Sequence, residues 1–289
     1  MDSEVQNSKS DPMEKIDSHQ HFWNFDPVRD KWITEEMQIL RKDFLPQELI
    51  PVLKNSGFEG CIAVQAQESE KENHFLLYLA SQNSYIKGIV GWLDFFADNI
   101  EERISYFSSF EKIKGFRYIL QSAKDRALML SPAFRNGLSK LRKFGFTYDI
   151  LILEDQMPFV SELVAGYPEQ LFVIDHLAKP SIKDSRIVEW KKQIQRLSVH
   201  ENVFCKISGI VTEANWGDWK YSDLLPYLDV VFEAFGTKRV MYGSDWPVCL
   251  LAASYGQVLA VVKEYISTFS IDEQNNFWGG NASRFYKFI

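Results

Sequence analysis

Eight short apolar runs alternate with eight segments of helical spacing along most of this chain, and this alternation is its strongest constraint on the fold. The apolar runs predict strands over residues 15–19, 60–67, 87–93, 115–120, 147–153, 171–176, 203–208 and 239–243. The segments between and after them predict helices over residues 46–56, 72–82, 99–110, 132–144, 158–167, 186–197, 221–235 and 255–269. Strands that alternate with helices indicate βαβ units and a parallel sheet. Eight units in a chain of 289 residues predict a closed (β/α)8 TIM barrel in a single domain. An open doubly wound sheet is the alternative, but no Gly-x-Gly-x-x-Gly follows the first predicted strand.

The amino-terminal segment, the cysteines and the net charge limit which class of protein this chain can belong to. Residues 1–13 are polar and lack the apolar core of a secretion signal, so we expect a disordered tail, with the barrel over 14–289 and Met13 as an alternative start. Three widely spaced cysteines indicate buried, reduced thiols in a cytoplasmic protein. The chain has no apolar stretch long enough to span a membrane. A net charge of -7 without a basic motif argues against a nucleic-acid partner, and the oligomeric state stays open.

Two histidines at the end of the first predicted strand indicate a chemical site. His19 and His21 are two residues apart, so in a strand both side chains point to the same face and can bind one divalent cation. His176 ends the sixth predicted strand and Asp245 follows the eighth. Because the active site of such a barrel lies at the carboxyl ends of its strands, we expect these four side chains to converge. The alternative for any one of them is a buried residue or a turn residue without chemistry.

Several motifs, in order along the chain, resemble the signature blocks of the amidohydrolase superfamily. They are His19-Gln20-His21-Phe22-Trp23, Val64-Gln65-Ala66, Gly91-Trp92, Gly115-Phe116-Arg117, Asp175-His176-Leu177-Ala178-Lys179-Pro180, Lys206-Ile207-Ser208-Gly209 and Gly243-Ser244-Asp245-Trp246-Pro247-Val248-Cys249. More narrowly, they resemble the sugar-lactonase branch of that superfamily, which also contains hydrolases of pyrone and muconolactone acids. The resemblance implies a barrel whose site uses the histidines of the first strand, a later histidine and an aspartate of the eighth strand.

The chain departs from the two-metal pattern of many superfamily members. Where those members use a lysine or glutamate on the fourth strand and a histidine on the fifth, this chain offers Arg117 and Tyr118, then Tyr148 and Asp149. We therefore predict at most one divalent metal, zinc in type. Its ligands would be His19, His21, His176 and Asp245. Some relatives work without a metal, and in that case the histidines would donate hydrogen bonds to the substrate.

The resemblance and the residue chemistry together predict hydrolysis of a sugar-acid lactone, of the L-fucono or L-rhamnono type. Asp245 is the expected base, and His176 and Arg117 are further catalytic candidates. Arg117 could clamp the substrate or close an ion pair. The predicted substrate-binding residues are Trp23, Gln65, Trp92, Tyr148, Lys179, Trp216 and Trp246. Indole rings pack against sugar C–H faces, although some of these residues could be core.

Three alternatives to sugar-lactone hydrolysis remain open at this stage. The first is hydrolysis of a pyrone or muconolactone acid, which the small number of cations at the predicted strand ends disfavours. The second is a decarboxylase of the related amidohydrolase type, which would use similar ligands. The third is a barrel that binds sugar acids without catalysis.

Overall fold

Eight parallel strands form the centre of the protein, in a computed structural model that describes residues 14–288. The strands are β1 (Ile16–Gln20), β2 (Gly60–Val64), β3 (Ile86–Gly91), β4 (Ile113–Ile119), β5 (Thr147–Leu151), β6 (Phe172–Ile174), β7 (Val203–Ile207) and β8 (Val240–Tyr242). They pair in chain order from β1 to β8. Beyond β8, the amide of Asp245 donates to the carbonyl of His19 at 2.8 Å, and the amide of His21 donates to the carbonyl of Trp246 at 2.7 Å. These two bonds bring the ends of the sheet together, so the predicted (β/α)8 barrel is confirmed.

Helices lie between the strands and after β8. They are α1 (Pro46–Ser56), α2 (Glu70–Gln82), α3 (Ile100–Phe107), α4 (Pro132–Leu141), α5 (Met157–Ala165), α6 (Val188–Ser198), α7 (Tyr221–Phe235), α8 (Tyr255–Ile266), α9 (Ile271–Asn275) and α10 (Asn281–Tyr286). The eight predicted helices are all present, and α1 and α7 have the predicted bounds. The prediction missed α9 and α10, because helices of one or two turns are too short to show a clear apolar period.

Local sequence explains where individual helices begin and end. Pro46 opens α1, where its missing amide hydrogen is not needed, and Gly57 ends that helix with a left-handed φ of 79°. Before α8, Ser254 and Gln257 form a capping box, in which each side chain accepts a hydrogen bond from the other residue's amide. Such ends fix the lengths of the helices, and with them the positions of the loops that follow the strands.

The inside of the barrel has an apolar lower half. At the amino-terminal end of the barrel, side chains from strands that are not neighbours pack together and against α10, which is possible only through the interior. The residues of this cluster are Ile16, Ile62, Val64, Val90, Val173, Met241, Ala282, Phe285 and Tyr286. Tyr286 also donates a hydrogen bond of 2.7 Å to Asp149 on β5. The carboxyl-terminal helix α10 therefore closes the amino-terminal end of the barrel, and through Tyr286 it also contacts a polar side chain inside the barrel.

Some predictions concern features outside the site. Cys61, Cys205 and Cys249 are buried free thiols in the structure, as predicted. Within residues 14–288, none of the helices combines the length and the apolar character that crossing a membrane requires. The predicted disordered tail over residues 1–13, and Met13 as a start, lie outside the described residues.

Candidate active site

Four polar side chains predicted from the sequence meet at the carboxyl end of the barrel. His19 lies on β1, His21 follows it, His176 follows β6 and Asp245 follows β8. The Nε2 atoms of His19 and His21 are 3.2 Å apart. Oδ1 of Asp245 lies 3.4 Å from His21 Nε2 and 3.8 Å from His19 Nε2. On its other side, Oδ2 of Asp245 lies 3.9 Å from His176 Nδ1. The structure thus brings these four residues together.

The Nδ1 atom of each histidine in the pair contacts the surrounding protein. Nδ1 of His21 lies 2.8 Å from the carbonyl oxygen of Val64, and Nδ1 of His19 lies 3.2 Å from Oδ1 of Asp175. A proton on Nδ1 of His21 satisfies the carbonyl oxygen and leaves its Nε2 with a free lone pair. Nδ1 of His19 lies 3.1 Å from the ammonium of Lys206 as well, and its Nε2 lies 3.4 Å from Nη1 of Arg117. Histidines that bind metals are commonly oriented in this way, by a carbonyl or carboxylate on the other ring nitrogen.

Nε2 of His19, Nε2 of His21 and Oδ1 of Asp245 are arranged so that they could bind a single divalent cation. Bonds of about 2.0–2.1 Å from a tetrahedral zinc would separate its ligand atoms by roughly 3.3 Å. The separations of 3.2, 3.4 and 3.8 Å among His19 Nε2, His21 Nε2 and Asp245 Oδ1 are close to that value. Two nitrogens and a carboxylate oxygen are also donors that zinc accepts. His19, His21 and Asp245 are therefore the residues that could hold a metal, with His176 beside them.

An uncommon backbone conformation carries His176 into the site. His176, Leu177, Ala178 and Lys179 all have positive φ values, between 49° and 58°, so they form one left-handed turn. Each non-glycine residue in this conformation costs about 1–2 kcal/mol. Residues held in such conformations cluster at functional sites, where the surrounding structure enforces them. This turn places His176 and Lys179 at the same end of the barrel.

Two glycines make room for the close approach of these side chains. A Cβ atom on Gly209 would lie 2.8 Å from Nδ1 of His176 and 3.2 Å from Oδ2 of Asp245, and Gly209 also has a left-handed φ of 62°. A Cβ atom on Gly243 would lie 2.6 Å from Cβ of His19. Any larger residue at either position would displace a side chain of the site.

A buried layer of charged side chains lies inside the barrel and contacts the site through His19. Arg117 on β4 lies 3.0 Å from Asp175, which follows β6. Lys206 on β7 lies 3.0 Å from the same carboxylate and donates to Asp149 on β5. Its Nζ is also 3.1 Å from Nδ1 of His19. Two cations and two carboxylates thus balance in a layer that water does not reach, and His19 is in contact with it.

Burial and neighbouring charges set the protonation states. Burial lowers the pKa of His176 to about 4, although Asp245 opposes the shift. Burial also lowers the pKa of His19. For Asp245, burial favours the neutral form, but His176, His21 and His19 outweigh it and hold the pKa of this carboxyl below its ordinary value. Near neutral pH the site therefore holds an ionised aspartate beside the neutral imidazoles of His19 and His176.

A cavity of about 960 Å³, here called the mouth cavity, lies among the loops at the carboxyl end of the barrel, and His19, His21, His176 and Asp245 are not part of its lining. Its walls come from the loops after β5, β6 and β7, with further residues from the loops after β1 and β4. Lys179 and Trp216, two of the predicted substrate-binding residues, line it. Trp92 follows β3 and is partly exposed, and its ring stacks on Tyr118. Within residues 14–288, Nε1 of Trp92 has no hydrogen-bond partner.

The other four predicted substrate-binding residues contact protein groups. Tyr148 packs between the barrel and α4, against Phe95 and Phe134, so the structure does not bring it to the site. The reason is the alternation of side chains along β5, which turns Tyr148 outward and Asp149 inward. Trp23 is 2% exposed and donates its indole N–H to the carbonyl of Lys42.

Gln65 and Trp246 contact residues that surround the site. The side chain of Gln65 donates to the backbone of Arg117 at 3.2 Å, and the guanidinium of Arg117 donates to the backbone oxygen of Gln65 at 2.6 Å. Trp246 is 5% exposed, and its ring packs against Phe22 and Phe44. Both residues are thus placed to hold neighbouring site residues in position.

Asp149, Asp175, Lys206 and Glu213 are polar residues near the site that the predicted set omitted. Asp175 precedes His176 in the motif, and Lys206 and Asp149 lie at inward positions of their strands, so alternation could have indicated them. Glu213 lines the mouth cavity 3.5 Å from Lys179. It lies in the loop after β7, where no periodic pattern marks it.

Comparisons with known proteins agree with this geometry. The family model described as Amidohydrolase matches residues 16–288. An L-fucono-1,5-lactonase of Burkholderia multivorans is 38% identical over 283 residues, covering 94% of this chain and 95% of the relative. An L-fucono-1,5-lactonase of Burkholderia ambifaria is 32% identical, with 94% and 95% covered. A crystal structure of an amidohydrolase from B. multivorans with bound zinc superposes with a TM-score of 0.91 at 38% identity, covering 95% of this chain and 99% of that one.

These matches extend over almost the whole barrel, including every strand and every residue of the site described above. The relative from B. multivorans is well above 30% identical over nearly the full length of both chains. The chain therefore belongs to the amidohydrolase family.

Proposed function

We propose that this protein hydrolyses a sugar-acid lactone, of the L-fucono or L-rhamnono type. The observation that carries the proposal is the ionised carboxylate of Asp245, which faces two histidine Nε2 atoms at the carboxyl end of the barrel. The two L-fucono-1,5-lactonases of Burkholderia support it, because each matches this chain over almost its full length.

Asp245 is suited to act as the general base. Its carboxylate would accept a proton from the water that attacks the lactone carbonyl carbon. The ring C–O bond then breaks, and the same carboxyl returns the proton to the departing ring oxygen, which gives the open-chain hydroxy acid. His176 is neutral near pH 7, so one of its nitrogens carries a proton and can donate a hydrogen bond to the carbonyl oxygen as negative charge develops there.

One divalent metal, zinc in type, is part of the proposal. His19, His21 and Asp245 would hold it, and when bound it supplies a Lewis acid that polarises the carbonyl and acidifies water. The support for one metal and not two is Lys206. Its ammonium group lies against Asp149, Asp175 and Nδ1 of His19, so the protein itself supplies the positive charge in that part of the site.

The charges of the cavity wall favour a neutral sugar ring over an aromatic dicarboxylic acid. Arg126 donates to both oxygens of Asp155, and Arg186 lies 3.2 Å from Asp184. These arginines are already paired with carboxylates, which leaves Lys179 and Lys183 as the cations of the wall that could neutralise the acid groups of a pyrone or muconolactone. A polyhydroxy lactone requires hydrogen-bonding groups and no excess of cations.

A lactone panel tests the proposed function. L-fucono-, L-rhamnono-, D-arabinono- and galactonolactones would be supplied with and without a chelator, and acid release followed with a pH indicator. We expect hydrolysis of at least one 6-deoxy sugar lactone. Hydrolysis of aromatic acid lactones alone would contradict the substrate class, and release of carbon dioxide without lactone opening would favour a decarboxylase. Tight lactone binding without turnover would favour a binding protein.

A further inference from the structure

Lys179 and Glu213 form an open ion pair in the wall of the mouth cavity. Nζ of Lys179 lies 3.5 Å from Oε1 of Glu213, and the two side chains are 22% and 23% exposed. Charge-assisted N–H···O bonds are usually about 2.7–2.9 Å long, so this pair is not closed. By contrast, Nε of Arg126 donates to Asp155 in the same wall at 2.8 Å. An open, half-buried pair of opposite charges is suited to a ligand group that both donates and accepts hydrogen bonds.

The two residues are held by the loops that also form the catalytic site. The amide of Lys183 donates to the carbonyl oxygen of Glu213 at 3.1 Å, which joins the loop after β7 to the loop after β6. Lys179 ends the left-handed turn that begins at His176. Earlier in the loop of Glu213, Gly209 lies against His176 and Asp245. A ligand that contacts the pair would therefore be held by the same two loops that carry His176 and contact Asp245.

The surroundings of Glu213 increase its tendency to accept hydrogen bonds from a ligand. Burial raises its pKa, Lys179 lowers it, and the charge of Asp245 contributes to the rise. Hydroxyl donors would replace the water that this partly desolvated carboxylate has lost. On the same loop, Trp216 is 40% exposed and gives its N–H to the carbonyl of Thr212, so its ring face is free to pack against sugar C–H groups.

We propose that Glu213 determines which lactone the site accepts, by accepting hydrogen bonds from ring hydroxyls while Lys179 donates to one of them. The inference rests on the proposed lactonase function. A hydroxyl group can both donate to Glu213 and accept from Lys179. An ionised carboxylate on a ring can only accept, and Glu213 would repel it. The pair thus selects polyhydroxy lactones over acidic ones.

Steady-state kinetics of Glu213→Gln with a matched set of substrates test this assignment. The set contains the best lactone of the wild-type protein, its epimers at single hydroxyls and its monodeoxy analogues. For the parent lactone we expect KM to rise by about 10- to 100-fold, the range for a lost charge-assisted hydrogen bond, with kcat little changed. For the analogue that lacks the recognised hydroxyl, wild type and variant should have nearly equal KM. Glu162→Gln removes an exposed carboxylate on α5, outside the lining of the mouth cavity, and serves as the control, with KM unchanged.

Glu213→Asp keeps the charge but shortens the side chain, so it should lie between wild type and Glu213→Gln. It also provides the test if Glu213→Gln does not fold. An unchanged KM and an unchanged order of epimers in an active, folded Glu213 variant would overturn this inference and leave the proposed function intact. A wild-type protein that opens none of the lactones would overturn the proposed function, and the assignment of Glu213 with it.

Discussion

The indole Nε1 of Trp190 donates a hydrogen bond of 2.7 Å to the carbonyl oxygen of Leu177, in the middle of the left-handed turn. Trp190 lies on α6 and is 2% exposed, so the bond is buried. The turn carries His176 at one end and Lys179 at the other. A helix outside the barrel thus holds a conformation that these residues would not adopt readily by themselves.

Trp190→Phe should therefore weaken both the fold and the reaction. It removes the donor and leaves the buried carbonyl of Leu177 without a partner, which costs about 1–3 kcal/mol of unfolding free energy. We expect turnover to fall as His176 loses its position. Urea unfolding and kcat, measured on the same preparation, check the two effects.

Ala178→Gly separates a positioning role of Trp190 from a purely structural one. Glycine has no Cβ and adopts the φ of 58° at position 178 without the usual penalty. In the double variant, the turn should hold better without the Trp190 hydrogen bond, so part of the lost turnover should return. A Trp190→Phe protein that loses stability but keeps full turnover would show that the bond has no catalytic consequence.

Asp245→Asn tests the general base directly. The amide keeps the size of the side chain but cannot accept the proton of the attacking water, so turnover should fall by about 10²-fold or more. Asp272→Asn, which changes an exposed carboxylate on the outer helix α9, is the matched comparison and should keep full turnover. Lactonase activity at the wild-type level in Asp245→Asn would refute the mechanism.

Arg117→Lys should reduce turnover and stability more than it raises KM. Nη1 of Arg117 lies 3.0 Å from Asp175, and Nη2 donates to the carbonyl of Gln65 at 2.6 Å. A lysine ammonium keeps the charge but cannot reproduce this planar fork, so it cannot hold Asp175 and the carbonyl of Gln65 in the same geometry. Of the two sequence interpretations, clamp or ion pair, the contacts agree with the ion pair. A large rise in KM with unchanged kcat would favour the substrate clamp instead.

Metal analysis of the purified protein should give at most one equivalent of a divalent ion. His21→Ala removes one of three facing donor atoms, so both the metal content and the activity should fall. His74→Ala, on the outer helix α2 beside Phe107, is the control and should keep the metal. Two equivalents in the wild-type protein would show that the ligand set is incomplete.

The sequence was informative where a pattern repeats or where a motif ends a strand. The eight βα units and the convergence of His19, His21, His176 and Asp245 follow from strand ends that meet at one edge of a parallel barrel. Tyr148 was misplaced because the bounds of a strand do not say which alternate residues point inward. Asp149 shows the same difficulty in reverse, since it points inward and binds Lys206.

The left-handed turn and Glu213 could not be predicted for a different reason. The amino-acid sequence from His176 to Lys179 does not indicate positive φ values, because tertiary contacts such as the hydrogen bond from Trp190 enforce that conformation. The position of Glu213 depends on how two loops pack against each other. Loop geometry of this kind has no short-range signal in the sequence.

The buried side chain of Glu72 should make the free energy of unfolding depend on pH. Its side chain is buried, its Oε1 accepts a hydrogen bond from the amide of Ala66 at 3.0 Å, and burial raises its pKa from 4.5 to about 7. The folded protein therefore binds this proton more tightly than the unfolded chain does. The resulting stabilisation is complete below about pH 4.5 and is lost as the pH rises through 7.

Glu72→Gln removes this titration while keeping an oxygen that can accept from Ala66. Unfolding free energies of both proteins, measured with urea at pH 5 and pH 8, should show the wild type losing up to about 3 kcal/mol relative to the variant as the pH rises. Glu162→Gln changes an exposed carboxylate and should show no such difference. If wild type and Glu72→Gln keep the same difference in stability at both pH values, Glu72 is already ionised in the folded protein at pH 5, and the burial argument fails.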